Sequence, residues 1–126
     1  MNIPDDIYYT LTHEWVRFTE RGTALVGLTD PAQNLLSSIM FISLCQTGTR
    51  LAPGQAAGEA ESIKAVKEIL APLAGRVTAV NGAAVDQPGL VNMSPYETWL
   101  IELDDIDSTD RLVEPGRYKL LVTKGE

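Results

Sequence analysis

Short apolar stretches alternate with turn-forming residues along most of the chain, a pattern that predicts strands more often than helices. Trp15, Arg17 and Thr19 alternate with Val16 and Phe18, which predicts a strand with one buried face. Glu20-Arg21-Gly22-Thr23 reads as a turn, with Gly22 free to take positive φ, and Ala24 to Leu28 resume as a second strand. Residues 14–28 are therefore expected to form a hairpin. Asp30 can cap free amides and Pro31 tolerates the first helical position, so 31–38 is predicted to be a short helix with Leu35 and Leu36 turned inward. Ile39 to Leu44 is an apolar run of strand length, expected to be buried on both faces. Turns follow at Thr47-Gly48-Thr49 and Ala52-Pro53-Gly54.

Glu59 to Glu68 then reads as a hairpin with Lys64 at its tip, punctuated upstream by Gly54 and Gly58 and downstream by Pro72 and Gly75. Gly75 to Val80 is a strong strand ended by Asn81-Gly82. Residues 83–97 contain Pro88, Gly89 and Pro95 and read as loop with at most one helical turn. Trp99 to Leu103 is a strand and Asp104 to Asp107 an acidic loop. Ser108 is positioned to cap a helix over 109–113, and Glu114-Pro115 to open another, weakened by Gly116. Residues 1–7 form a loose lead-in and 105–126 a helical tail. The whole is one mainly β domain spanning 1–126, a compact antiparallel barrel or sandwich with short peripheral helices.

A chain of 126 residues buries about two-thirds of its unfolded surface, and its 44% hydrophobic content is globular. No apolar run approaches the roughly 20 residues of a membrane span. Met1 to Asp6 lacks the basic and apolar regions of a secretory signal, and the single Cys45 suits a reducing compartment, so a cytoplasmic monomer is expected. A net charge of −7 argues against nucleic acid and for partners with basic pockets. One His and one Cys cannot assemble a zinc cluster.

A free-standing enzyme is not expected. His13 has no Gly-x-Ser-x-Gly or Cys partner, and Gly54 and Gly58 precede no helix that would cradle phosphate. Lys64 is the exception to this poverty. A rigid turn that holds one amine away from the body lets a modifying enzyme choose it over Lys67, Lys119 and Lys124. Glu59, Glu61 and Glu68 keep that turn hydrophilic, and acylation of Lys64 would make the net charge one unit more negative.

The chain resembles the H protein family of the glycine cleavage system. The likeness rests on Thr12-His13-Glu14-Trp15-Val16, Val26-Gly27-Leu28-Thr29-Asp30, Ala32-Gln33 and Glu61-Ser62-Ile63-Lys64-Ala65. It continues in Pro72-Leu73-Ala74-Gly75, Leu90-Val91-Asn92 and Ser94-Pro95-Tyr96. The resemblance implies a barrel-sandwich hybrid fold and lipoic acid in amide linkage on Lys64, with Glu61, Ser62, Ile63 and Ala65 as the recognition motif around it. It implies a lipoate ligase or lipoyl transferase as modifying enzyme. The loaded arm would then serve a pyridoxal-phosphate glycine decarboxylase, a folate-dependent aminomethyltransferase and a dihydrolipoyl dehydrogenase. It further implies an arm cleft lined by Thr12, Glu14 and Glu68, with Glu68 in place of the family's usual aspartate. His13 is expected to be structural and Cys45 to pack as a small apolar residue. Ser37-Ser38, Cys45-Gln46, Glu97-Thr98-Trp99 and Pro115-Gly116 depart from the family pattern. Those departures leave open an H-like lipoate-binding protein of another pathway, such as heterodisulfide-reductase-like sulfur oxidation.

Overall fold

The computed structural model describes residues 1–124. In chain order its strands are β1 (Tyr8–Tyr9), β2 (Glu14–Phe18), β3 (Ala24–Leu28), β4 (Ile39–Leu44), β5 (Arg50–Leu51), β6 (Ala56–Ser62), β7 (Val66–Leu70), β8 (Ala74–Val80) and β9 (Ile101–Asp107). The helices are α1 (Asp30–Leu36), α2 (Gly82–Asp86), α3 (Gly89–Met93) and α4 (Pro115–Lys124). One antiparallel sheet has the order β1-β2-β3-β9-β8-β5 and the other β4-β6-β7. This is the barrel-sandwich arrangement, mainly β with short helices at its periphery.

Val16, Val26, Val77, Ile101 and Leu103 of the larger sheet pack with Ala57 of β6 to fill one end of the core. Ile42, Ala60 and Ile69 of the smaller sheet pack with Leu28, Leu36, Val91 and Leu100 at the other. A third cluster of Ile7, Tyr9, Trp15, Tyr96, Val113 and Tyr118 lies on the outer face of the larger sheet, beneath α4. It explains why Trp15 and Val16 are both fully buried, where alternation predicted one buried face. Trp15 pairs across the strands with Gly27, whose missing side chain leaves room for the indole: a Cβ there would lie 2.5 Å from the ring. The indole Nε1 donates to the Pro95 carbonyl at 2.9 Å.

Long-range contacts correct several expectations. The α1 cap is Thr29, which accepts from the Ala32 amide, while Asp30 accepts from the Asn2 amide and the Gln33 side chain. Leu36 is buried but Leu35 is 61% exposed, since only one side of this two-turn helix meets the core. β4 is an edge strand with Met40 and Phe41 exposed; Ile39 and Ile42 are buried and Leu44 is half-buried against the core. Residues 82–93 hold two helices where a loop was expected, the first capped by the Asn81 side chain on the Ala83 amide. Asp104 to Asp107 continue β9, paired with Ala74 to Arg76 of β8, and exposed ion pairs join Arg76 to Asp104 and Arg50 of β5 to Asp105. That strand begins at Ile101 instead of Trp99 and takes residues 105–107 away from the expected helical tail.

No helix forms over 109–113. Ser108 has φ of 55°, and Val113 bridges to Tyr9 through backbone hydrogen bonds in both directions. The last helix does form from Pro115, despite Gly116. The lead-in is tied down: the Tyr96 hydroxyl donates to Asn2 O, that of Tyr9 to Pro4 O, and Ile7 is buried. Among the described residues no helix is long and apolar enough to cross a membrane.

Candidate functional site

β6 and β7 form the hairpin that presents Lys64. Their register pairs Glu59 with Glu68, Ala60 with Lys67 and Glu61 with Val66. Opposed residues share a face, so Glu59, Glu61, Val66 and Glu68 point outward, while Ala60, Lys67 and the buried Ile69 point toward the larger sheet. The turn is closed by the Ser62 amide donating to the Ala65 carbonyl at 2.9 Å. Ser62 is buried and Ala65 packs against the core, which anchors both ends of the turn. Between them Ile63 is 91% exposed and Lys64 is exposed beside it. An apolar residue left almost bare next to an amine gives the tip a mixed apolar and cationic surface, one that a partner's pocket can recognise.

Behind the hairpin lies a buried carboxylate. Glu14, at the start of β2, is 0% exposed. Its Oε1 accepts from Thr10 Oγ1 at 2.7 Å and Thr12 Oγ1 at 2.5 Å. Its Oε2 accepts from Lys67 Nζ at 3.0 Å and the Leu70 amide at 3.3 Å. Four donors, one of them cationic, thus compensate the desolvation of the carboxylate. The turn before β2 is held by the Thr10 amide on Glu14 O and by His13 in a left-handed conformation, φ 73°. His13 Nδ1 lies 2.7 Å from the Tyr118 hydroxyl. Burial first, and the Lys67 ammonium second, hold the imidazole below its ordinary pKa, against an opposing pull from Glu14. Burial also pushes the Tyr118 hydroxyl far above the ordinary phenol range. The phenol therefore keeps its proton, and its oxygen bridges His13 Nδ1 and Thr29 Oγ1, the latter at 3.0 Å.

A cavity of about 640 Å³ opens beside this cluster. Thr10 and Thr12 form one polar wall, Leu70, Ala71 and Pro72 an apolar one, and Arg111 to Glu114 with Arg117 close the far side. Its walls combine apolar residues and hydroxyls with the charges of Asp110, Arg111, Glu114 and Arg117.

Thr12 and Glu14 are hydrogen-bonded to each other, and of the two Thr12 lines the cavity. Glu68 does neither. It is exposed on the outer face of β7, because a one-residue step along a strand reverses side-chain direction. Lys67 takes the inward place instead. Thr10, Lys67 and the Leu70 amide escaped notice because their roles come from packing across sheets. Thr10, Thr12 and Glu14 meet because the chain turns between them, which no strand or helix period in the sequence marks. Cys45 is half-buried against the core, and burial, its largest influence, raises its thiol pKa, so it is poorly suited to act as a thiolate.

The model of the Glycine cleavage H-protein family matches residues 7–124. A glycine cleavage system H protein of Lachnoclostridium phytofermentans is 39% identical over 124 residues, covering 98% of each chain. One of Burkholderia vietnamiensis is 43% identical over 123 residues, 96% of this chain and 98% of the other. The crystal structure of a glycine cleavage system H protein from Mycobacterium marinum superposes with a TM-score of 0.87 at 32% identity, covering 96% of this chain and 99% of that one. The sulfur-oxidation alternative finds no support among these relatives. On its fold, on its motifs and on relatives matched along almost its whole length, this chain belongs to the glycine cleavage H-protein family.

Proposed function

We propose that Lys64 is where this chain, a lipoyl carrier of glycine cleavage by family, bears its prosthetic group, with Glu61, Ser62, Ile63 and Ala65 forming the motif read by a lipoate ligase or lipoyl transferase. The observation that carries this reading is the hairpin tip. Lys64 stands exposed on a turn whose flanks are anchored, and among the described residues it enters no ion pair, whereas Lys67 is engaged by Glu14. The residues present fit the group: an accessible primary amine for the amide bond, and, at the other end of β7, a cavity with hydroxyl, apolar and charged walls for the acyl chain. When bound, lipoate supplies a ring disulfide that can be opened and resealed.

The polypeptide's own part is placement. β6 and β7 hold the attachment point clear of the body. Leu70, Ala71, Pro72 and Leu112 give the cavity an apolar wall and Thr12 a hydroxyl, with the Glu14 carboxylate buried behind Thr12 as the group a cationic end would seek. The carrier would serve a pyridoxal-phosphate glycine decarboxylase, a folate-dependent aminomethyltransferase and a dihydrolipoyl dehydrogenase in turn.

Intact-mass measurement of protein purified from its own host should show one lipoyl group, absent in Lys64→Ala. An unshifted mass overturns the attachment. Mixed with a glycine decarboxylase, lipoylated protein should support exchange of glycine's carboxyl carbon with bicarbonate, and a Lys64→Ala level of exchange would exclude that partner.

A further inference from the structure

Among the described residues Lys67 is the one ionic partner of the buried Glu14 carboxylate. Of the four groups bonded to Glu14, Thr10 is buried and the Leu70 amide belongs to the strand backbone; Thr12 and Lys67 are the two that reach solvent. Thr12 holds Oε1, and Lys67, its side chain 18% exposed, holds Oε2. The Lys67 head also donates to the carbonyl of Glu68 at 3.1 Å, so the ammonium sits at the mouth of the cluster with a second anchor on its own strand. A cation from outside gains Oε2 by displacing Lys67. That exchange is easy for one class of ion only. A buried carboxylate stripped of its counter-ion is costly, so the newcomer must carry a full positive charge. It must also bring N–H donors to replace the lost hydrogen bond.

We propose that Lys67 is an internal competitor for a primary-ammonium site centred on Glu14: its ammonium closes the carboxylate in the resting protein and yields to another primary ammonium presented at the mouth of the cluster. The role rests on the carrier reading above, in which the arm attached three residues earlier on the same hairpin brings such a group to Glu14. The swap is ammonium for ammonium, so no net charge is buried or released. The strength of the Lys67 contact then sets how readily the arm docks and how readily it leaves.

The test uses the unmodified full chain and methylammonium chloride as probe, with tetramethylammonium chloride as control for ionic strength. The Glu14 side-chain carboxyl carbon is followed by NMR in the parent, Lys67→Met and Lys67→Ser proteins. Both variants should bind methylammonium saturably, at least tenfold more tightly than the parent, and neither should respond to tetramethylammonium, which has no N–H to donate. Adding Glu14→Gln to either variant should abolish binding, read from the amide spectrum. Equal affinity in parent and variants, no binding in any, or an equal response to both ions would each overturn the proposal. So would failure of both single variants to fold, since the pair would then be a structural tie. A bare Lys64 in the host defeats the attachment reading without altering this titration.

Discussion

Lys67 and Glu14 differ in what each loses when the other is removed. Lys67 reaches water and can re-solvate, whereas Glu14 is left with three neutral donors in a sealed site. Lys67→Met should therefore lower stability by about 3 kcal/mol in denaturant unfolding, the low end of the range for breaking one partner of a buried pair. His13 carries a pH dependence. Its imidazole titrates lower in the fold than in the unfolded chain, so the unfolded chain binds more protons in that window. Stability should then fall as pH drops below about 6.5, the ordinary histidine value, toward the folded one. His13→Gln should flatten that part of a stability-against-pH curve, and an unchanged slope would remove the claim. Lys64 needed no fold to be noticed, because its signal lies in adjacent residues. The donors around Glu14 did need it, since Lys67 lies 53 positions away in sequence and reaches the carboxylate across two sheets.

At the scale of elements, backbone packing limits which residues can carry the lysine turn. Gly58 in β6 lies so close to β4 that a Cβ would come within 2.1 Å of the Ser43 carbonyl oxygen, and backbone cannot step aside as a side chain can. Gly58→Ala should cost at least about 2 kcal/mol by denaturant unfolding and loosen hydrogen-exchange protection along β4 and β6. A fully protected, undestabilised variant would show that the strands can part at no cost. The β2–β3 hairpin and the β6–β7 hairpin were legible because their turn residues and alternation are local. The α2 and α3 helices were not, because Pro88 and Gly89 mask two single turns. Nor was the acidic end of β9, whose backbone partner β8 and ion-pair partners Arg76 and Arg50 are distant in sequence.

For the molecule as a whole, the exposed tip and the core are separate in their energetics. Lys64→Ala removes a side chain that buries almost nothing, so its midpoint of unfolding should match the parent within about 0.5 kcal/mol. A larger loss would place Lys64 in the structure instead of on it. The net charge of −7 should speed encounter with partners that offer basic pockets. Association rates should fall as ionic strength rises from about 0.01 M to 0.15 M, where the Debye length shrinks from about 30 to 8 Å. Rates that ignore salt would mean the acidity serves solubility alone.

The stacking of Tyr9 on Tyr118, with ring centroids 4.4 Å apart, gathers the lead-in and α4 behind the larger sheet, while the lysine turn belongs to the smaller one. The first residues run on past that stack: Asn2 donates to Asp30 and lines one hollow with Asn92, whose side chain accepts from the Ile39 amide, and Ile39 pairs with Ser62 at the base of the lysine turn. A dye, a bead or a fused protein joined at Met1 would accordingly stand on the hairpin's side of the molecule and crowd whatever enzyme comes to the lysine.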